Sequence, residues 1–271
     1  MGEKTGKEKE MGFLEHLEEF RWVIVRAAIG VVLASLAAFI FYRFIFDHIV
    51  LAPKSPDFFT NRILCKLADL LNSQTLCINS TPLNIININM AGQFNTHIQV
   101  SVFAGIILSF PYIIQQFWNF VKPALYPSER QRARGAVFYI SLLFLLGVLF
   151  GYFIISPLTI HFLGGYSIST EVTNQINLGS FIASVASVTL ATGILFELPV
   201  LILFLTKAGI VTPKFLKKYR KHAFIIIMVV AAIITPPDIL SLLLVTFPLW
   251  LLFEVSITVS ARIYRKSEQN K

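Results

Sequence analysis

Charge is what this sequence has least of. Only 14% of its 271 residues are charged, where soluble domains carry about a quarter, and 55% are hydrophobic. A soluble fold this apolar has too little polar surface to cover itself. A bilayer removes that requirement, because lipid solvates the outside. Histidine is equally sparse. His16, His48, His97, His161 and His222 stand singly along the chain, so the clustered ligands or nucleophile partners of a membrane-embedded enzyme are missing. No glycine-rich phosphate loop is present, which excludes a nucleotide site. No second half repeats the first, which makes the secondary transporter of a small solute the weaker alternative, although Glu197-x-Pro199 resembles the broken helix of such a fold. No cofactor and no metal are expected. The first 21 residues lack an apolar core, and no small-residue cleavage site follows the first apolar run, so that run reads as a retained span.

Cysteine occurs only twice. Cys65 and Cys77 share one polar segment, and two readings stand: a disulfide if that segment faces an oxidising compartment, or two unrelated thiols.

What the chain has in abundance is long apolar runs. A helix needs about 20 apolar residues to cross about 30 Å of hydrocarbon. Six runs qualify or nearly do: Val23 to Tyr42, Ile98 to Phe120, Ala136 to Leu158, Leu178 to Leu205, Ala223 to Thr235 and Ile239 to Ala261. The third carries Gly147-x-x-x-Gly151, a spacing that lets helices approach closely. The fourth is broken by Glu197 and Pro199. The fifth covers only roughly 20 Å at 1.5 Å per residue. Pro236-Pro237-Asp238 reads as a tight turn, since neither proline continues the preceding helix.

The net charge is +8, and its placement gives orientation. Lysine and arginine crowd the N-terminal segment, the gap 121–135, the gap 206–222 and the tail. The segment 159–177 and the Pro-Pro-Asp turn have none. With six spans every basic segment falls on one side, which puts both ends in the cytoplasm. This is the positive-inside pattern and not a nucleic-acid patch. The expected fold is therefore one all-α integral membrane domain over 1–271, with six transmembrane helices. Its parts are a cytoplasmic amphipathic lead-in at 1–21, a long periplasmic loop at 46–93 and a cytoplasmic tail at 262–271.

Several residues stand out chemically. Phe13, Leu14, Leu17 and Phe20 share one helical face, so the lead-in is expected at the membrane surface. Glu129 is an acid in a loop of basic residues. It is either half of a local ion pair or an acceptor for a cationic ligand. Glu197 is an ionisable group inside a span, which is costly. It is either a neutral acid bonded to backbone freed by Pro199 or a functional polar feature.

Taken in order, His16-Leu17-Glu18-Glu19-Phe20-Arg21, then Gln116-Phe117-Trp118-Asn119-Phe120-x-x-Pro123-Ala124-Leu125-Tyr126 with Glu129-Arg130, then Phe196-Glu197-Leu198-Pro199, then Thr235-Pro236-Pro237-Asp238 and Phe253-Glu254, resemble the TatC family. That family is the receptor subunit of the twin-arginine protein translocase, and the likeness runs from about Phe13 to Arg262. It implies a cup-like bundle with short fifth and sixth spans in a bacterial inner membrane. It also implies binding of Arg-Arg signal peptides of folded cargo, association with the single-span TatA and TatB subunits and with itself, and transport driven by proton-motive force. Glu19 and Glu129 match the family's signal-peptide carboxylates, Arg21 its first-motif arginine and Phe120 the neighbouring aromatic. Pro53 matches the proline after the first span, and Thr235 and Asp238 the turn and partner contact. Ser241-Leu242 departs from the family's Ser-Gln, so that contact is expected to differ. The chemistry is sound on its own terms: two permanently charged planar guanidiniums suit two carboxylates.

Overall fold

A segment in lipid must satisfy its own backbone, and the long apolar runs do so as helices. The computed structural model describes residues 13–70, 77–78, 83–122, 135–169, 171, 174–235 and 238–268. Helix α1 (Phe13–Ile40) runs on through Tyr42–Phe44 and a π-helical Ile45–Val50 into a short 3₁₀ turn, Ala52–Lys54. Helix α2 (Phe59–Leu70) and strand β1 (Ile85–Ile86) follow, then α3 (Gly92–Val121). Helix α4 (Ala136–Gly165) contains a π-helical stretch at Gly151–Ile155. Strand β2 (Ile176–Asn177), α5 (Leu178–Leu195), α6 (Leu198–Lys207), α7 (Pro213–Lys218), α8 (Arg220–Ile234) and α9 (Ile239–Glu268) complete the order.

Among the described residues, five segments are long and apolar enough to cross a membrane: Leu17–Ile40, Gly92–Val121, Ala136–Gly165, Leu178–Lys207 and Ser241–Arg265. The shorter α8 has 15 residues and stands where the short fifth crossing is expected. The sixth is not short. Helix α9 has 30 residues, because nothing after Ala261 breaks it and its basic end simply continues the helix. From Phe13 the lead-in is the opening of α1 and runs into the span, since neither proline nor glycine separates them. Large apolar side chains face outward, as lipid permits: Ile29, Val32, Leu33 and Leu36 on α1 are all more than half exposed.

The helices pack through small residues and polar contacts. Helices α1 and α3 form the most extensive pair and run antiparallel. Phe20 meets Phe117 and Phe120 at one end, the Tyr112 ring lies over Gly30, Gly105 faces the Ser35 backbone, and Phe39 stacks on His97 at the other end. His97 Nε2 lies 3.0 Å from the Phe39 carbonyl, so it donates that proton. Between α4 and α5, Gly147 faces the Thr192 carbonyl and Phe196, while Gly151 faces Thr189. The Gly-x-x-x-Gly spacing thus serves a helix crossing. Buried Ser156 and Thr189 lie 3.4 Å apart in the same seam, and Thr206 and Ser260 share a 2.9 Å hydrogen bond between α6 and α9. The core between α4, α5, α8 and α9 gathers Ile155, Val188, Ala231, Val245 and Leu249.

The described residues of the 46–93 region form a cap that holds α2 and β1. β1 pairs in parallel with β2 in the register Ile85 with Ile176, which ties the two loops on that side together. Asn61 is fully buried. Its side-chain amide donates to the carbonyls of Pro53 and Ser55, holding the turn after α1. Tyr152 donates from its hydroxyl to the Ile49 carbonyl at 2.7 Å, and Thr60 donates to the Phe153 carbonyl. A disulfide joins Cys65 of α2 to Cys77, beside buried Ile78.

Candidate functional site

Glu19 sits in the second turn of α1, where its residue is partly buried. One position on, Phe20 tilts against Phe120 with ring centroids 5.3 Å apart, and against Phe117 at 6.5 Å. This aromatic clasp sets the start of α1 beside the end of α3. Arg21 turns its guanidinium over the Trp22 ring, 5.7 Å from the centroid. Glu129 and the proline-rich 123–134 lie outside the described residues, as do Pro236 and Pro237 of the expected turn. The structure therefore brings Glu19, Arg21 and Phe120 to one end of the bundle. The segment that carries Glu129 leaves α3 directly after Lys122, from that same end.

Glu197 lies at a break in the fourth crossing. Its backbone N–H donates to the Ile194 carbonyl, and its own carbonyl accepts from Val200 and Leu201, so α5 ends and α6 begins around it. Pro199 stands in the first turn of α6, where its missing N–H costs least. The Glu197 carboxyl lies beside the Phe144 backbone. Both its oxygens are buried without a well-formed hydrogen bond among the described residues. Phe144 stacks in turn on Phe110 of α3, with centroids 3.6 Å apart. Ser141 Oγ, one turn from Phe144 on α4, is also buried and unpartnered among the described residues. An acid left unsatisfied beside a helix break is expensive, and such positions mark functional polar sites in membrane proteins.

The other sequence-derived residues are dispersed. Pro53 is buried beneath α2. Thr235 is buried, and its hydroxyl donates to the Ala231 carbonyl at the end of α8. Asp238 caps α9: its carboxylate accepts from the Ser241 N–H at 2.8 Å, a contact typically worth about 1 kcal/mol. Leu242 packs partly buried against the core. Two features went unpredicted. Asn61 gives no signal in a long loop, because its two acceptors are set by tertiary packing. The Arg220–Glu254 ion pair, joining α8 to α9, had a signal in the ionisable Glu254 within an apolar run. Among the described residues no cluster of His, Cys, Asp or Glu could hold a metal ion.

Residues 15–248 match the family described as Sec-independent protein translocase protein (TatC). A TatC of Blattabacterium from Periplaneta americana is 39% identical over 96% of this chain and 98% of its own length. The TatCy protein of Bacillus subtilis is 33% identical over 97% of this chain and 94% of its own. A crystal structure of the twin arginine translocase receptor TatC in the detergent DDM superposes with a TM-score of 0.69. It is 31% identical, with 91% of this chain and 99% of that chain covered. These likenesses extend over the spans, the clasp and the Glu197 break alike, and the chain belongs to the TatC family, multi-pass membrane components of the Sec-independent protein translocase that are not enzymes.

Proposed function

We propose that this chain is the receptor subunit that binds Arg-Arg signal peptides of folded cargo at the cytoplasmic face of a bacterial inner membrane. One observation carries the reading. The Phe20–Phe120 clasp sets the Glu19 end of α1 against the end of α3, from which the Glu129 segment departs. Two carboxylates on one face offer two acceptors for paired guanidiniums, whose planar forks match carboxylate geometry. Arg21, held over Trp22, orients that end of α1, and Phe120 offers a ring for the peptide's apolar residues.

The basic segments support a cytoplasmic position for this face, with both ends of the chain on that side. The Cys65–Cys77 disulfide belongs with an oxidising compartment on the other side. Single-span TatA and TatB subunits dock on the bundle, with contacts near Thr235 and the Asp238 turn, while Pro53 holds the cap on that same side. Leu242 supplies an apolar contact where the family's amide would donate. Glu197 lies about 15 Å from the cytoplasmic end of α6, at 1.5 Å per residue, and gives these partners a polar feature within the bilayer. Copies of the chain associate in the receptor complex.

Complementation tests the reading. Expressed in a bacterium lacking its own TatC, together with TatA and TatB subunits, the protein is expected to restore export of a folded reporter with an Arg-Arg signal. A Lys-Lys signal is expected to give none. Equal export of both reporters would overturn the receptor assignment.

A further inference from the structure

The cap holds an apolar stripe that the receptor reading does not use. Helix α2 has two faces. Asn61 and Ala68 are buried against the protein, with Leu64 and disulfide-bonded Cys65 partly buried beside them. Phe59, Ile63, Leu67 and Leu70 point away, with 59%, 47%, 44% and 80% of their surfaces exposed. At 3.6 residues per turn these four fall within roughly 80° of the helix circumference. Arg62 and Lys66 run along one edge of that stripe, both exposed.

Depth identifies what covers it. Thr60 donates to the Phe153 carbonyl, and the Phe59 and Phe153 rings meet edge to face. Phe153 lies 17 positions beyond Ala136, the first residue of α4. At 1.5 Å per residue that is about 25 Å along the axis. By the positive-inside pattern the start of α4 belongs at the inner headgroups, so Phe153 falls near the outer edge of a hydrocarbon layer about 30 Å thick. Helix α2 is anchored at that level, so its outward face meets lipid and not bulk water.

We propose that α2 is an interfacial helix. Phe59, Ile63, Leu67 and Leu70 lie among the outer-leaflet acyl chains, and Arg62 and Lys66 reach the phospholipid phosphates. A narrow apolar stripe edged by cations is the surface such helices present. Asn61 and the disulfide fix the rotation of α2 from its opposite side, so the stripe cannot turn inward. The cap then grips the bilayer on the side away from the signal-peptide face.

Fluorescence quenching tests this. The full chain with Trp22, Trp118 and Trp250 replaced by Phe and carrying Ile63→Trp is reconstituted in phosphatidylcholine–phosphatidylglycerol vesicles. With acyl chains brominated near the headgroup, emission is expected to fall by about half, as for an indole immersed about 5–10 Å below the surface. Iodide in the water is expected to quench it little, while Asp69→Trp on the polar edge is quenched by iodide. Iodide quenching of Ile63→Trp without lipid quenching would put the stripe in water and overturn the proposal. Shielding from both quenchers would mean a protein surface, a second copy or another subunit, covers it, which equally overturns it. If the tryptophan-free background does not fold, the unaltered protein is irradiated in vesicles containing a diazirine phospholipid. Label on the peptide 59–70 is expected, and its absence overturns the proposal.

Discussion

Replacing Gly105 by leucine is expected to unfold the bundle at a temperature lower by on the order of 10 °C. The reason is the seam between α1 and α3. A side chain at Gly105 would start 2.7 Å from the Ser35 backbone nitrogen and 2.8 Å from its Cα. Backbone cannot swing aside as a flexible side chain can, so the helices must separate. Overpacking of a well-fitted seam typically costs about 1–3 kcal/mol, and a backbone obstacle places this case at or above the upper end. Within the bilayer no hydrophobic effect pulls helices together, and close packing of small residues is what holds them. Separation also reaches the candidate site, because the same seam ends in the Phe20–Phe120 clasp. Gly165→Ala serves as the contrast: no neighbouring atom lies within 4 Å of the added carbon, and stability is expected to stay unchanged. Thermal unfolding of the detergent-solubilised variants, followed by circular dichroism, checks both. A Gly105→Leu protein as stable as the parent would mean that α1 and α3 do not meet as described.

Removing either proposed acceptor is expected to weaken Arg-Arg peptide binding strongly. A charge-assisted hydrogen bond is worth about 1.5–3 kcal/mol, so Glu19→Ala and Glu129→Ala should each cost roughly 10- to 100-fold in affinity. The double variant should bind no better than a peptide without arginines. Glu19→Gln and Glu129→Gln should behave like the alanines, because an amide keeps the shape but loses the charge that guanidinium requires. Exposed charges are screened by salt, so the parent affinity should fall as ionic strength rises, while the double variant should show little dependence. Fluorescence anisotropy of a labelled peptide measures all of these. Unchanged affinity in both single variants would place the paired arginines elsewhere.

The long crossings were legible in the sequence because a hydrocarbon layer imposes a length and a polarity on each one. Glu197 with Pro199 was legible as a break for the same reason: an acid and a missing N–H inside an apolar run have few structural solutions. The clasp was only half legible. Phe120 was marked by its motif, yet nothing local says that it meets Phe20, since that pairing is set by the register of α1 against α3. The cap was read as polar connection because α2 is short and only half apolar. Its Asn61 anchor and its hydrogen bond to Phe153 depend on residues far away in the chain. A short sixth span follows from the family resemblance alone, since the apolar run Ile239 to Ala261 is already long enough to cross. Helix α9 instead carries its basic end onward, because lysine and arginine propagate helix well outside lipid.

The most direct test of the receptor assignment is binding of paired synthetic signal peptides to the unaltered, detergent-purified protein. One carries Arg-Arg and the other Lys-Lys at the same positions. Lysine keeps the charge and loses the planar fork, so the account predicts clear preference for the Arg-Arg peptide. Equal affinity for the two peptides would contradict it.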